Sequence, residues 1–411
     1  MKRSSVCLVV LFTLTLASTP FSQTQPTTQS LPAAPKMVLF SSLVANGGFV
    51  RIFAAVRSPN NSFVFGGTEG VDGGAFYESN LFTGMTYTSD AGNPNYVTAL
   101  TVSSGLQVIA GGAGSYLGGT ATSIQSCVPS NGILDPWVDG GSYVTCIPGL
   151  VNGPTAIAID SANSVYVASG PTVFKISSKP ALVYTFTLGG SATNITGLAV
   201  NKQGQVYVVG NAAKDLPTLN ALQPVGNGAF LAKLNATGTG VLFATYLNGK
   251  FGGTSADAVA INPSGVFVTG YAGTKASPTV YVSKVLTSGQ KLVYHKAIGP
   301  GSPVAIAVDA KNRAYVTGQT TSTQFPLVRA FQIKPASGFV ASLDGLGKTI
   351  LWSSYLGGSG FADSMTGIGV NSDGTTWIGG TAGSIDFPVT DGSMCDPSFC
   401  ESGFMTKISA N

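Results

Sequence analysis

The sequence predicts an all-β fold built from repeats, and three observations predict it. The first is composition: the 411 residues include 54 glycines, 44% are hydrophobic and only 9% are charged. Such a chain is too apolar to be disordered and lacks the charged, alanine-rich composition of helical proteins. The second is a strand–turn–strand pattern that occurs seven times, and the third is a related half-pattern that follows most of its copies.

The recurring pattern is a short apolar strand, a polar turn and a second strand that ends near glycine. Consecutive copies end between 41 (169 to 210) and 62 (318 to 380) residues apart. This spacing is typical of four-stranded propeller blades joined by loops of variable length. The sequence therefore predicts an all-β, seven-bladed β-propeller. The copies are residues 52–66, 97–111, 155–169, 196–210, 257–270, 304–318 and 366–380.

The half-pattern supplies the third and fourth antiparallel strands of a blade. It is clear in residues 228–249 and 338–358 and looser in 172–190 and 280–299. Residues 403–409 resemble a third strand with no fourth strand after it, and residues 36–44 resemble a fourth strand with no blade before it. We expect these N-terminal and C-terminal strands to pair, because ring closure removes two exposed sheet edges.

The N-terminal region has the pattern of an export signal. Lys2 and Arg3 precede an apolar run at 6–17, and small residues follow it. We therefore expect a signal peptide at 1–22, a flexible Pro/Thr/Gln-rich leader at 23–35 and the propeller at 36–411. The mature chain is expected to be secreted, periplasmic or at the cell surface, monomeric, and not inserted in a membrane. The alternative is that the apolar run stays uncleaved as an anchor.

Four cysteines remain after removal of Cys7, and an even number in an exported chain favours disulfides. Three connectivities are possible. We favour Cys127–Cys146 and Cys395–Cys400, because the members of each pair are close in sequence. A zinc site is not expected, since the chain has one histidine and no Cys-x-x-Cys motif.

Several segments together resemble a known repeat. They are GAFLAKL at 228–234, SSYLGG at 353–358 and TGIGVNSDGTTWIGG at 366–380, with the element Asp386-Phe387-Pro388 and its variants Asp215-Leu216-Pro217 and Gln324-Phe325-Pro326. This frame is similar to the SBBP-type β-propeller repeat of bacterial exported proteins. The resemblance covers almost all of the chain after residue 36 and is weakest at 112–149. It implies the fold and export, and it implies no particular activity.

Polar residues recur at the end of the first strand of five blades, and we interpret them as turn caps. Asx side chains hydrogen-bond nearby backbone N–H groups in tight turns. We also assign a structural role to the glycine pairs and the Phe-Pro elements. His295 lies on a predicted outer strand, far from the channel, so we do not expect it to be catalytic. The recurring residues are Asp160, Asn201, Asn262, Asp309 and Asn371.

The connections between the second and third strands are long in three blades, at 211–227, 319–337 and 381–402. They are expected on the face where propellers usually meet ligands, which is an argument from the fold alone. We predict Arg329, Phe331, Asp391 and Phe399 as binding contacts in these loops. Cys395–Cys400 would fix the tip of the last one.

The formal charge of +4 gives no electrostatic case for nucleic acid. No carboxylates can be paired across blades from sequence, so we predict no catalytic, metal or cofactor-binding residues. The leading hypothesis is a secreted non-catalytic binding module whose partner is a protein or a polysaccharide. One alternative is an extracytoplasmic enzyme of glycosidase, lyase or quinone-dependent dehydrogenase type. The other is a structural or adhesive cell-surface component.

Overall fold

The computed structural model describes nine strand segments between Val38 and Val151 and most of the chain from Gly153 onward. The predicted signal peptide and leader lie outside the described residues, as do Cys127, Asp391, Cys395, Phe399 and Cys400. From Gly153 the described residues are 153–179, 181–190, 192–248, 253–359, 363–390 and 401–410.

The described residues form 28 strands. They are β1 (Val38–Val44), β2 (Val50–Arg57), β3 (Phe63–Glu69), β4 (Gly73–Asn80), β5 (Gly84–Asp90), β6 (Tyr96–Val102), β7 (Val108–Ala113), β8 (Asn131–Trp137), β9 (Thr145–Val151), β10 (Ala156–Ile159), β11 (Val165–Ser169), β12 (Thr172–Ile176), β13 (Leu182–Thr187), β14 (Asn194–Val200), β15 (Val206–Ala212), β16 (Gly228–Leu234), β17 (Val241–Tyr246), β18 (Ala258–Asn262), β19 (Gly265–Thr274), β20 (Ser277–Val285), β21 (Leu292–Pro300), β22 (Ser302–Val308), β23 (Ala314–Gln319), β24 (Gly338–Leu343), β25 (Ile350–Leu356), β26 (Ser364–Val370), β27 (Thr376–Ala382) and β28 (Ser402–Ile408).

Within the described residues the strands group into four-stranded antiparallel sheets. We number them by chain order: sheet 1 (β2–β5), sheet 2 (β6–β9), sheet 3 (β10–β13), sheet 4 (β14–β17), sheet 5 (β18–β21), sheet 6 (β22–β25) and sheet 7 (β26–β28 with β1). Side chains are described along sheets 3 to 6 and along β26–β28, and a few are described in sheet 2. The prediction of an all-β propeller with antiparallel strands is confirmed.

Sheet 7 combines strands from the two ends of the chain. β1 pairs antiparallel with β28, with Val38 opposite Ile408 and Val44 opposite Gly403. The first strands of successive sheets contact one another, and β2 of sheet 1 also contacts β26 of sheet 7.

Buried side chains fill the spaces between neighbouring sheets. One cluster joins Tyr166 of sheet 3 to Phe230 of sheet 4, and another joins Phe267 of sheet 5 to Phe339 of sheet 6. The largest side chains that are fully buried are all tyrosine or phenylalanine. The aromatic residues of these sheets therefore pack between neighbouring sheets, where large rings provide much of the apolar area that is buried.

The glycine at the end of the second strand has a steric cause. A Cβ at Gly210, Gly270, Gly318 or Gly380 would lie 1.9–2.2 Å from a carbonyl oxygen at the start of the neighbouring first strand. In sheets 4, 6 and 7 the register shifts by one residue at this point, which is a β-bulge. Glycine recurs there because no other residue allows this approach.

The described residues contain no helix long and apolar enough to cross a membrane.

Candidate functional site

The strand order gives the propeller two different faces. The turns between the first and second strands and between the third and fourth strands lie on one, which we call the turn face. The loops between the second and third strands and the links to the next sheet lie on the other, which we call the loop face. Because first strands of neighbouring sheets contact one another, the fourth strands lie on the outside.

On the turn face, four of the five recurring Asx residues cap turns as predicted. Asp160 Oδ1 accepts hydrogen bonds from the backbone N–H groups of Ala162 and Ser164, each at 2.9 Å. Asn201 and Asp309 accept the equivalent pairs of bonds, and Asn262 accepts one from Ser264 N–H. These bonds fix the turn conformation.

On the loop face, the Phe-Pro elements and their variants serve packing. The Tyr355 hydroxyl donates to Ser322 O at 2.7 Å and accepts from Phe325 N–H at 3.0 Å. In sheet 4, Tyr246 accepts from Leu216 N–H in the same way. A Cβ at Gly299 would lie 2.4 Å from Pro326, so the element packs directly on the end of the preceding sheet.

Arg329 and Phe331 lie beside the outermost strand of sheet 6. Their neighbour Val328 forms a β-bridge with Ser353 of β25. Arg329 has a backbone φ of 49°. Phe331 is half-buried against the core between sheets 6 and 7 and lines a cavity of about 280 Å³. The described part of the loop thus covers the edge of the sheet, and neither residue lines the large pocket of the loop face.

His295 lies on the outer strand β21, as predicted. Its Nδ1 is 2.8 Å from Ser283 Oγ, and its ring centroid is 4.9 Å from that of Tyr281. Burial lowers the pKa of His295, which favours the neutral ring. These contacts give it a packing role.

The main pocket of the loop face lies over sheets 5, 6 and 7 and has a volume of about 700 Å³. We call it the rim pocket. Its described lining carries hydroxyl and amide groups, one lysine and one carboxylate. The polar and charged members are Lys275, Ser277, Ser302, Gln319, Thr320, Thr321, Ser322, Ser337, Asp363 and Ser364. Sequence reasoning missed this site, since isolated serines and threonines carry no recognisable spacing.

Two of these side chains differ sharply in their hydrogen bonding. Asp363 is 3% exposed, and its carboxylate accepts bonds from the backbone N–H groups of Gly358, Gly383 and Ser384 and from the Ser384 hydroxyl, at 2.7–3.0 Å. These four hydrogen bonds link the end of sheet 6 to sheet 7. Ser337 is 6% exposed, and its hydroxyl has no hydrogen-bond partner among the residues that the structure describes. A rotation of the side chain toward the pocket would let this hydroxyl bond a ligand.

No group of three or more metal-ligating side chains occurs among the residues that the structure describes. Cys146 lies on β9 with its backbone opposite Ile133 of β8.

Comparison with known proteins finds the fold and no relative by sequence. No family model matches the chain, and no curated protein matches it. Among solved structures, the WD40 β-propeller domain of Doa1 has a TM-score of 0.56 at 8% identity, over 90% of this chain and 97% of that chain. Sqt1 from Chaetomium thermophilum has a TM-score of 0.52 at 13% identity, over 83% of each chain.

A third similar structure is that of a protein named as a lyase. Virginiamycin B lyase from Staphylococcus aureus has a TM-score of 0.53 at 12% identity, over 89% of this chain and 98% of that chain. At such identities the likeness shows a β-propeller and nothing finer.

Proposed function

We propose that this protein is an exported, non-catalytic binding module whose ligand occupies the rim pocket. The observation that carries the proposal is the buried, unpaired hydroxyl of Ser337 in a pocket lined by hydroxyl and amide groups. A group that is desolvated and unpaired in the free protein gains a hydrogen bond when a polar ligand binds. A pocket of about 700 Å³ is large enough for a short peptide segment or a sugar unit.

The pocket favours a protein partner over a polysaccharide. Its described lining contains no aromatic side chain that could stack on a sugar ring. The backbone donors and acceptors of an extended segment can bond with the hydroxyl groups and the Gln319 amide of the described lining. The non-catalytic interpretation is supported by Asp363, because a carboxylate that already accepts four hydrogen bonds is a poor general base.

The scaffold that we propose is a closed ring of seven blades of the SBBP type. Support comes from the seven four-stranded sheets among the described residues, from the pairing of β1 with β28, and from the contact between β2 and β26. The repeat frame at 228–234, 353–358 and 366–380 supports the family. Deleting residues 36–44 should then strongly destabilise the protein, which a thermal melt would detect.

Export, processing and disulfides are part of the same proposal. The charged and apolar pattern of residues 1–22 supports cleavage near residue 22. Intact mass of the exported chain, with and without reduction, would report the cleavage site and the number of disulfides. Recovery of the full-length chain in the cytoplasm would overturn the export proposal.

The binding proposal is tested by screening the mature chain against a peptide array and a glycan array. Ser337→Ala should weaken binding by about tenfold and leave the melting temperature unchanged or slightly higher, since the buried hydroxyl has no partner among the described residues. Lys275→Ala should also weaken binding, whereas Lys348→Ala, on the turn face, should not. Selective binding to a glycan would show that the partner is a polysaccharide and not a protein. No saturable binding on either array, or binding unaffected by the Ser337 and Lys275 variants, would overturn the rim-pocket assignment.

A further inference from the structure

A cation lies over an aromatic ring near the turn face of five sheets. In four of them a lysine on the third strand places Nζ 4.9–5.0 Å from the centroid of a ring on the second strand. In sheet 6, Ser342 occupies the lysine position, and Arg313 supplies the cation from the turn at 5.8 Å. The pairs are Lys175 with Tyr166, Lys233 with Tyr207, Lys284 with Phe267, Arg313 with Tyr315 and Lys407 with Trp377.

Sheets 3 and 6 neutralise this cation with the carboxylate of the turn. Asp160 Oδ2 lies 3.7 Å from Lys175 Nζ and accepts a hydrogen bond from the Tyr166 hydroxyl at 2.9 Å. In sheet 6, Asp309 Oδ2 lies 2.5 Å from Arg313 Nε and 3.2 Å from the Tyr315 hydroxyl. In both sheets the turn cap and the counter-ion are the same residue.

Sheet 4 has the same backbone turn but an amide in place of the carboxylate. Asn201 caps the turn as Asp160 does, and its Nδ2 donates to Gln205 Oε1 at 2.9 Å. Lys233 Nζ donates to the Thr287 carbonyl at 3.3 Å. An ammonium group has three N–H donors, so this bond leaves capacity for a further acceptor.

Three of the five sheets, 4, 5 and 7, have asparagine at the cap position, and in sheet 4 the missing carboxylate coincides with a pocket. A cavity of about 510 Å³ lies between sheets 4 and 5 on the turn face. Its described lining includes Lys202 and Lys233 and no Asp or Glu. Asn201, Gln203, Gln205 and Asn262 line the cavity together with the two lysines, and Ile261 and Pro263 form an apolar wall.

We propose that this cavity, the sheet 4 pocket, binds the anionic group of a small organic acid of about the size of one or two sugar rings. The anion takes the place that the Asp160 carboxylate occupies in sheet 3 and contacts Lys202 and Lys233. The amides orient the rest of the ligand, and the apolar wall packs against its body. This site is on the opposite face from the rim pocket and does not depend on the function proposed there.

The test is isothermal titration of the mature chain with glucuronate, glucose 6-sulfate, glucose 6-phosphate and neutral glucose, each to about 10 mM, which detects millimolar affinity. We expect at least one anionic probe to bind, with weaker affinity at higher salt, and glucose not to bind. The three anions separate a carboxylate ligand from a sulfate or phosphate ligand. Absence of binding by all three anionic probes would overturn the proposal.

The decisive variant is Asn201→Asp, which recreates the arrangement of sheets 3 and 6 and keeps the turn cap. It should weaken the binding of the anionic probe by about tenfold or more, with an unchanged melting temperature. Lys202→Gln, at an exposed position, should also weaken binding. Lys311→Gln is the matched control in the turn of sheet 6 and should have no effect. Unchanged affinity in Asn201→Asp would show that the probe binds elsewhere and would overturn the assignment.

Discussion

The turn face and the loop face are built from the same sheets by different means. On the turn face, Asp160, Asn201 and Asp309 cap turns of one conformation, and the sheets differ by single functional groups. On the loop face, the connection ranges from a tight hairpin in sheet 5, where Thr274 pairs with Ser277, to the 319–337 loop of sheet 6. One face therefore varies its chemistry on a constant backbone, and the other varies the backbone itself.

The largest expected loss of stability comes from a substitution at Gly318, in the bulge between β22 and β23. A Cβ at Gly318 would lie 2.2 Å from the Ser302 carbonyl oxygen. Gly318→Ala should therefore destabilise the protein by about 3 kcal/mol, measured by denaturant unfolding. The control is Gly240→Ala in a turn-face turn, where the nearest atom would be 3.8 Å away. Equal losses in the two variants would contradict the steric explanation.

A smaller effect is expected from the hydroxyl that holds the loop of sheet 6. Tyr355→Phe removes a donor to Ser322 O and the acceptor for Phe325 N–H, and it should cost about 1–3 kcal/mol. Tyr207→Phe is the matched change near the turn face, where the hydroxyl makes one contact of 3.5 Å. It should cost less than about 0.5 kcal/mol. If Tyr207→Phe proved the more damaging of the two in a thermal melt, the loop anchor would be misassigned.

Exchanging the side chains of the two turn caps, Asp160 and Asn201, tests how much the carboxylate adds to stability on the turn face. Asp160→Asn keeps the turn but removes the partner of Lys175, which should cost about 1 kcal/mol. Asn201→Asp supplies Lys233 with a partner and should cost less than that. Denaturant unfolding of both variants measures the difference. Equal costs would mean that the carboxylate of Asp160 adds nothing beyond its cap.

A further expected effect is a pH dependence of stability from Asp257, which lies just before β18. Burial raises the pKa of Asp257 from 3.8 to about 6, and the hydrogen bond from Ser255 partly opposes this. Because the folded-state pKa lies above the unfolded one, its contribution to stability is complete below about pH 4 and is lost as the pH rises through 6. The free energy of unfolding should decline over this range less steeply in Asp257→Asn. Parallel pH profiles for the two proteins would exclude Asp257 as the source.

The repeat pattern predicted what depends on local geometry. Asp160 and Asn201 were identified as turn caps and His295 as a residue of an outer strand, because each follows from strand periodicity or turn chemistry. The candidate sites were not predicted in this way. Arg329 and Phe331 are loop residues as expected, yet the structure places them at the edge of sheet 6 and outside the rim pocket.

The sequence by itself therefore determined the propeller fold, since each repeat carries its own strands and most carry a turn cap and a glycine at the end of the second strand. Only the tertiary structure decided which side chains meet. Ser337 lines a pocket with Lys275 of the preceding sheet, and Lys202 and Lys233 share a cavity with Asn262 of the next sheet. These contacts join residues of different repeats. The physical reason is that a local pattern fixes backbone geometry within a repeat, whereas a pocket between repeats depends on how their surfaces pack.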